Sequence, residues 1–314
     1  MKSFITALQF LTRIHIKNQT DLTAEDFGRS TKFFPLVGLI LGTIYMLVAW
    51  CLIAVFGWAN LVTTLLIVLP ILLTGGLMLD GFMDTVDGVF SGRERERVLE
   101  IMKDSRVGSF GVIALACLLL VNWTALRDVK LVLIMTALFV MPIIGRMAMV
   151  MAIAFFPYAR KEGMGKIFAD MADRKTVMLA VFTTLAGVIP WGQAAIAALF
   201  AGLAFAWCIA KWLTGKLGGL TGDTYGAIET LTETVVLLAA LTTIIGVVPW
   251  GQAAIAALAA GLIFAWLLGC WLSSRLGGLT GDTYGAIETL TETVVLLVFW
   301  VTSWIPGGLH ILWR

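Results

Sequence analysis

Three aspartates, Asp80, Asp84 and Asp87, directly follow a long apolar run and have a spacing that could bind a metal ion. On an α-helix, positions i, i+4 and i+7 lie on one face, so the three carboxylates would point into the same space. Like charges held so close repel one another unless a cation lies between them. Carboxylate oxygens are hard ligands that suit Mg²⁺ or Mn²⁺. The spacing therefore predicts that Asp80, Asp84 and Asp87 bind a divalent metal ion.

Basic residues follow the aspartates and could bind phosphate, since guanidinium and ammonium groups donate strong hydrogen bonds to phosphate oxygens. They are Arg93, Arg95, Arg97, Lys103 and Arg106. Metal ligands followed by cations, at the end of an apolar run, indicate phosphoryl-group transfer at a membrane surface. The segment from Arg93 to Glu100 also has a simpler interpretation, an exposed helix with ion pairs three residues apart.

The composition indicates a membrane protein. Hydrophobic residues make up 60% of the 314 residues, charged residues only 13%, and the mean hydropathy is +0.95. A soluble domain could not bury so much apolar surface, so we expect an all-α, polytopic helical membrane protein with a single integral membrane domain, 1–314. The two histidines and four cysteines show no metal-ligand spacing. The lipid bilayer is the expected partner, nucleic acid is not expected, and a homo-oligomer is left open.

Apolar runs predict about nine transmembrane spans. They lie at 33–56, 60–79, 109–125, 131–157, 176–189, 193–213, 226–246, 252–272 and 285–304. Lysine and arginine concentrate in segments on one side of these spans, which the positive-inside rule assigns to the cytoplasm. Of the 22 Lys and Arg residues, only Arg127, Lys130 and Arg314 fall on the other side. Every loop with reactive side chains is therefore expected to face the cytoplasm.

The chain contains a direct repeat. Residues 187–238 match residues 246–297 at a fixed offset of 59, and only ten of the 52 positions differ. Each copy holds two predicted spans joined by one loop. Because two spans preserve orientation, both loops are expected on the same side of the membrane. The period resembles no solenoid family, so we interpret the repeat as a tandem duplication of a helical hairpin.

Each copy carries a glycine-rich loop, GGLTGD, followed by acidic residues at the start of a span. Glycines allow backbone N–H groups to approach an anion closely. The acidic residues are Asp223, Glu229 and Glu233 in the first copy, and Asp282, Glu288 and Glu292 in the second. Acidic residues at a helix N-terminus also have an ordinary explanation, namely capping and interaction with the helix dipole.

Two further groups of cations have two interpretations each. Arg160, Lys161 and Lys166 lie in one loop and could bind phosphate or could serve only as the positive-inside signal. Arg146 lies inside an apolar run, where a charge is costly unless it is paired. Its partner could be one of the three aspartates on the predicted helix face, Asp80, Asp84 and Asp87. Alternatively, its side chain could extend to the membrane surface.

Four sequence motifs together resemble the cobalamin synthase family, also called adenosylcobinamide-GDP ribazoletransferases. They are FPLVGLILG (34–42), LDGFMDTVDGVFSGRERERVLEIMKDSRVGSFG (79–111), YARKEGMG (158–165) and GGLTGDTYGA (218–227). They occur in the family's order over nearly the whole chain, and the second is long and specific. The aspartate motif is also similar, more loosely, to that of the CDP-alcohol phosphotransferases.

The resemblance implies an integral enzyme of the bacterial or archaeal cytoplasmic membrane. Such an enzyme requires Mg²⁺ and joins alpha-ribazole, or its 5′-phosphate, to adenosylcobinamide-GDP with release of GMP. By the motifs, Asp80, Asp84 and Asp87 would bind the metal. Lys103, Arg106 and Asp223 would bind substrate, and Asp87 or Asp104 would take the proton from the ribazole hydroxyl.

The chain departs from the family in three ways, one of which is the extra hairpin, and two other functional classes are possible. Met78 occupies a position where the family commonly has histidine. The number of residues between the GGLTGD loop and Glu229 also differs from the number expected for the family. A CDP-alcohol-type phosphotransferase would share the metal chemistry but would require a lipid-soluble acceptor. A cation-coupled transporter would place its acidic residues near the bilayer midplane, whereas these lie at span ends, and its repeat would usually be inverted.

Overall fold

A computed structural model of the chain describes residues 2–17, 22–242, 261, 264–265, 267–275 and 280–303. The chain divides into two compact units, residues 1–241 and 242–314, and the boundary falls between the two copies of the repeat. Whether both units belong to the single membrane domain expected above stays a prediction.

The described residues are helical, with no β-strand among them, which confirms the all-α class. The helices of the first unit are α1 (Lys2–Leu11), α2 (Ala24–Gly28), α3 (Phe34–Phe56), α4 (Asn60–Thr74), α5 (Leu77–Phe90), α6 (Arg95–Ile101), α7 (Ser109–Asp128), α8 (Leu131–Phe155), α9 (Met164–Met171), α10 (Arg174–Val188), α11 (Gln193–Leu217) and α12 (Gly222–Thr242). Short 3₁₀ turns occupy Thr31–Phe33 and Ile189–Trp191. In the second unit, α13 covers Gly281–Ser303.

Four stretches of the described chain are long and apolar enough to cross a membrane, Ala24–Phe56, α7, α8 and α11. Helices α4 and α5 together would make a fifth, but their axes are bent by 93°. These helices indicate a membrane protein with four or five spans, and the count of nine is not confirmed. The predicted spans at 176–189, 226–246 and 285–304 correspond to α10, α12 and α13. The predicted span at 252–272 lies largely outside the described residues.

Two consecutive glycines cause the bend between α4 and α5. Gly75 and Gly76 both have left-handed φ angles, +69° and +74°, which glycine adopts without steric cost. The predicted span at 60–79 is therefore too long, since α4 ends at Thr74 and the following residues already belong to α5. As a consequence, the aspartate-bearing helix leaves the axis of α4 at nearly a right angle.

Glycines allow α3 and α8 to pack along one another. A Cβ atom at Gly38 would lie 2.8 Å from the Cα of Ile143, and one at Gly42 would lie 2.9 Å from the carbonyl carbon of Phe139. Small residues that bring backbones together are the usual means of helix association in membranes, where apolar burial gives little driving force. Helix α8 is the most buried long helix of the described chain and forms the centre of the first unit.

An arginine in the middle of α8 fixes the position of α12. Arg146 is only 2% exposed, and its Nη1 atom lies 2.7 Å from Oε1 of Glu229 and contacts Oε1 of Glu233. Both glutamates lie on α12, four residues apart and therefore on one face. The partners of Arg146 are thus neither the aspartate face nor the membrane surface, the two interpretations that the sequence suggested.

We expect Arg146→Met to destabilise the protein by about 3–5 kcal/mol, because the change leaves two carboxylates buried without their cation. The control is Arg97→Met, since the Arg97 side chain is 66% exposed where it pairs with Glu100. An exposed pair contributes little, so that variant should stay within about 0.5 kcal/mol of the parent. The measurement is the thermal unfolding midpoint of the purified protein in detergent. Equal midpoints for both variants would contradict a structural role for the buried pair.

Candidate functional site

Helices α5 and α12 cross in direct backbone contact, and this contact brings the acidic residues of both helices together. A Cβ atom at Gly81 of α5 would lie 2.8 Å from the carbonyl oxygen of Asp223 and 3.1 Å from its Cα. A Cβ atom at Gly226 of α12 would lie 3.1 Å from the carbonyl oxygen of Met78. Each glycine therefore meets the backbone of the other helix, and side chains at both positions would separate the two helices.

The contact brings Asp80, Asp84 and Asp223 close enough to interact electrostatically. The carboxylate of Asp84 is partly buried and interacts electrostatically with Asp80 and Asp223, and also with Asp87. Asp80 is exposed, and within the described chain neither Asp80 nor Asp84 has a side-chain hydrogen bond or ion pair. The carboxylates of Asp80, Asp84 and Asp223, with Asp87 nearby, thus concentrate negative charge where the two helices cross.

A cation from a third segment completes this site. The Nη2 atom of Arg160 lies 3.0 Å from Oδ2 of Asp223, and the Arg160 guanidinium also interacts with Asp84. Its side chain is only 14% exposed, and its Nε atom has no hydrogen-bond partner among the described residues. The ion pair with Asp223 gives Arg160 a role in the site beyond the positive-inside signal, and its binding of phosphate stays a prediction.

Two backbone hydrogen bonds position Arg160. Ala159 N donates to Leu220 O and Leu220 N donates to Pro157 O, each over 2.7 Å, so the segment before Arg160 runs beside the GGLTGD loop. Gly219 permits this approach, because a Cβ atom there would lie 2.7 Å from the Ala159 nitrogen. The loop is further fixed by a reciprocal cap, in which Thr221 N donates to the hydroxyl of Thr224 over 2.7 Å and Thr224 N donates to the hydroxyl of Thr221.

Asp87 makes different contacts from the other two aspartates of its helix. It is 8% exposed and its two carboxylate oxygens accept hydrogen bonds from Gly108 N, at 2.9 Å, and Gly111 N, at 2.8 Å. Both N–H groups belong to the start of α7, where no intrahelical acceptor exists. Asp87 therefore caps α7 and fixes it against α5, while remaining close enough to Asp84 to add to its charge environment.

The segment KDSR, residues 103–106, lies at the protein surface between α6 and α7. Lys103 is exposed, and Arg106, 88% exposed, forms a bidentate pair with Asp104, with distances of 2.7 Å and 3.0 Å. Hydrogen bonds from Arg106 lower the pKa of Asp104 to about 2. At neutral pH such a carboxylate is a weak base. The pair of Asp104 and Arg106 is therefore better suited to binding charged groups than to proton transfer.

The basic helix α6 shows both of the features considered from its sequence. Arg97 and Glu100 form an exposed ion pair over 2.7 Å, as expected for a solvated helix. Arg95, however, donates from Nε to the carbonyl oxygen of Leu217 over 2.6 Å, at the end of α11. It therefore fixes the helix that leads into the GGLTGD loop, a role that its sequence position did not indicate.

The donor chemistry of this site fits a hard cation such as Mg²⁺, which proteins commonly bind through one or two carboxylates, the remaining ligands being water and phosphate oxygens. Asp80, Asp84 and Asp223 could supply those carboxylates. Among the described residues, no three His, Cys, Asp or Glu side chains are gathered as ready metal ligands. The metal site therefore stays a prediction, which the concentration of negative charge around Asp84 supports.

The second copy of the hairpin has the same local structure but different surroundings. Thr280 N donates to the hydroxyl of Thr283 over 2.7 Å, which repeats the cap at Thr221. A Cβ atom added at Gly261 would meet the side chain of Val295, just as one at the corresponding Gly202 would meet the side chain of Val236 in the first copy. Yet Glu288 and Glu292 are exposed, whereas the corresponding glutamates of the first copy pair with Arg146.

The fold and the site define a class of protein: a helical membrane protein with an acidic, cation-suited site beside its apolar helices. Comparison with known families then gives a narrower result. The sequence profile of the family described as Cobalamin-5-phosphate synthase matches residues 3–241, and matches a second time at residues 238–300. The chain belongs to this family, and its second hairpin is itself family sequence.

Curated relatives give the same assignment. A protein of Desulforamulus reducens named adenosylcobinamide-GDP ribazoletransferase is 41% identical over 234 residues, covering 74% of this chain and 92% of the relative. One of Clostridium acetobutylicum with the same name is 37% identical over 240 residues, covering 76% and 94%. The latter figures correspond to a relative of about 255 residues, which is this chain less one 59-residue period. No solved structure matches the chain.

We expect Gly81→Ala to destabilise the protein by about 1–3 kcal/mol, because the new methyl group pushes the backbones of α5 and α12 apart. The change would otherwise favour a helix by up to about 1 kcal/mol. The control is Gly285→Ala in α13, where no other segment of the described chain comes within 4 Å of the added Cβ and only the helix-propensity gain applies. Thermal unfolding midpoints in detergent provide the measurement. A stabilising effect of Gly81→Ala would contradict the close crossing.

Proposed function

We propose that the protein catalyses Mg²⁺-dependent transfer of the adenosylcobinamide phosphate group from adenosylcobinamide-GDP to alpha-ribazole or its 5′-phosphate. The products are adenosylcobalamin, or its 5′-phosphate, and GMP. Family membership and the relatives' names support the reaction. The observation that carries the proposal to this chain is the crowding of Asp80, Asp84 and Asp223 with Arg160 at the crossing of α5 and α12.

The reaction exchanges one phosphorus–oxygen bond for another. An oxygen of a ribazole hydroxyl forms a bond to the phosphorus on the cobinamide side, and the bond from that phosphorus to the bridging oxygen breaks. GMP leaves with the bridging oxygen, and the hydroxyl proton passes to a base. Phosphoryl transfer of this kind depends mainly on positioning and on charge stabilisation, both of which the site can provide.

We propose that Asp80 and Asp84 hold Mg²⁺, which when bound neutralises charge on the pyrophosphate and on the leaving GMP. This retains two members of the predicted aspartate triad. Asp87, the third, already accepts two backbone hydrogen bonds and serves to fix α7 beside the other two. Lys103 and Arg106, exposed between α6 and α7, contribute positive charge for the nucleotide phosphates.

Arg160 and Asp223 then have linked roles. In the structure they pair with each other, but phosphate oxygens compete for the same guanidinium donors. When substrate engages Arg160, Asp223 loses its partner and is left as the base for the ribazole proton. The sequence suggested Asp87 or Asp104 for that role. Their hydrogen bonds, and the low pKa of Asp104, favour Asp223 instead.

The distribution of Lys and Arg supports an enzyme of the bacterial or archaeal cytoplasmic membrane with its site on the cytoplasmic face. We further propose that the repeated hairpin is an added pair of spans, as in the nine-span topology, and that the first copy serves the site. Its Asp223 lies beside Arg160 and its glutamates pair with Arg146.

The first test is Asp84→Asn, which keeps the shape of the side chain but removes its charge. We expect Mg²⁺-dependent GMP release to fall more than about 100-fold, since a positioned metal is worth several kcal/mol of transition-state stabilisation. The substrates are adenosylcobinamide-GDP and alpha-ribazole, supplied to purified protein at several Mg²⁺ concentrations.

The matched control is Asp170→Asn, because the Asp170 side chain is 58% exposed and pairs with Lys166 on α9. It should turn over like the parent. More than about a tenth of parental activity in Asp84→Asn would rule out its role in metal binding.

The two copies of the repeat allow a second test of the site. Asp223→Asn should abolish turnover, whereas Asp282→Asn, at the same position of the second copy, should leave it unchanged. Deletion of residues 239–297 should yield an active single-copy protein. If Asp282→Asn alone is inactive, the second hairpin provides the site, and if neither variant loses activity the two loops substitute for one another.

A further inference from the structure

A cavity of about 140 Å³ opens directly beside the acidic site. Asp80 and Asp223 form part of its wall, so it is continuous with the place where phosphoryl transfer is proposed. The rest of the wall comes from five helices, α1, α5, α8, α9 and α12. Its characteristic side chains are Phe10, Met78, Met149, Met164, Phe168 and Tyr225.

These side chains give the cavity, called the chamber below, mostly apolar walls. The rings of Phe10 and Phe168 lie 5.2 Å apart, and Phe168 also packs edge-on against Phe34, with 5.6 Å between centroids. The aromatic contacts pack α1 and α9 against α3. Aromatic and methionine side chains together form surfaces suited to the faces of a planar aromatic ligand.

Besides the carboxylates of Asp80 and Asp223, the residues that line this chamber include a tyrosine, Tyr225, with a polar hydroxyl group. The side chain of Tyr225 is 3% exposed, and its hydroxyl has no hydrogen-bond partner within the described part of the chain. A buried hydroxyl without a partner costs free energy, so its retention in a cavity wall points to a ligand atom that it bonds. Tyrosine O–H can donate to a ring nitrogen.

We propose that this cavity binds the aromatic base of the acceptor nucleoside, with the Tyr225 hydroxyl donating a hydrogen bond to its free ring nitrogen. The inference rests on the proposed function and assigns a subsite to it. The base of alpha-ribazole is a dimethylbenzimidazole, a planar apolar bicycle with one unsubstituted ring nitrogen. One buried hydroxyl donor among apolar side chains is complementary to such a base.

The position of the cavity also fits an acceptor. In a nucleoside the ribose hydroxyls lie one ring away from the base. Asp223 lines the same cavity as Phe168 and Tyr225, so a base bound there would have its ribose hydroxyls within reach of Asp223, the proposed proton acceptor. The guanine of the donor fits less well, because its several polar edge atoms would be buried against apolar walls. The corrin ring is far too large for this volume.

The second copy of the repeat supplies a control that is identical in local sequence. Tyr284 occupies the position of Tyr225 in α13 but is 61% exposed. Tyr225→Phe and Tyr284→Phe thus remove the same hydroxyl from the same sequence context, one from the cavity wall and one from an exposed surface. Both keep the ring, so neither change opens a hole in the packing.

The experiment measures GMP release by the purified full-length protein, with each substrate varied in turn. Tyr225→Phe should raise the KM for alpha-ribazole about five- to tenfold, the worth of one hydrogen bond, and leave the KM for adenosylcobinamide-GDP within about twofold. Equilibrium dialysis should show the same loss of alpha-ribazole binding. Tyr284→Phe should match the parent in every constant.

A second variant tests the fit of the walls rather than the hydrogen bond. Phe168→Leu should reduce the discrimination between alpha-ribazole and its analogue lacking the two methyl groups, measured as the ratio of their kcat/KM values. Each methyl group well packed in an apolar pocket is worth about a tenfold preference. Because the ratio compares two substrates on one protein, a general loss of stability would not change it.

The outcomes separate this inference from the proposed function. Absence of GMP release from the parent protein would reject the reaction itself. If the parent is active but Tyr225→Phe raises the KM for adenosylcobinamide-GDP alone, or for both substrates equally, the cavity is not the acceptor subsite. An unchanged methyl preference in Phe168→Leu would likewise overturn the assignment.

Discussion

The ion cluster of Arg146 with Glu229 and Glu233 is the interaction on which the arrangement of the first unit depends. A guanidinium inside an apolar helix must find its counter-charges within the protein, and α12 supplies them. Meeting that requirement fixes α12 in position and rotation against α8. The start of α12 then falls at the crossing with α5, where Gly81 and Gly226 allow backbone contact. Asp223 reaches the aspartates of α5 only because both conditions hold.

The acidic residues of the site divide into two groups with different physical roles. Asp87 and Asp104 have their oxygens occupied, by backbone N–H groups of α7 and by Arg106 respectively. They hold structure in place. Asp80 and Asp84 carry no such contacts in the described chain, and Asp223 is bound only through Arg160 and Thr221. Carboxylates that are close together, uncompensated or exchangeable are the ones suited to bind a metal ion and to move a proton.

The repeated hairpin shows how context gives one sequence two environments. Residues 217–238 and 276–297 are identical, and in both copies the N–H of the first threonine donates to the hydroxyl of the second. Yet Tyr225 is buried and Tyr284 exposed, and the same contrast holds for Glu229 and Glu288. Local sequence determines the cap and the helix that follows it. Whether the helix face becomes part of a site depends on whether Arg146 and α5 lie opposite.

The sequence by itself determined the class of fold, the family and the identity of the acidic motif. Composition requires apolar helices, and the spacing of Asp80, Asp84 and Asp87 indicates a helix that carries them. These conclusions depend on local periodicity and on residue type, which a linear chain displays directly. The bend after Gly75 was not foreseen, since a pair of glycines permits many geometries and packing selects one.

Only the tertiary structure decided which of the charged residues act together. Arg160 lies far from Asp223 in sequence but pairs with it, because backbone hydrogen bonds of Ala159 and Pro157 with Leu220 hold the two segments side by side. Asp87 was grouped with its neighbours by spacing, but its oxygens meet the N-terminus of α7. The partners of Arg146 and the chamber around Tyr225 depend on contacts between distant helices. Such contacts are set by the shapes and charges of whole helix faces, and no local pattern in the chain encodes them.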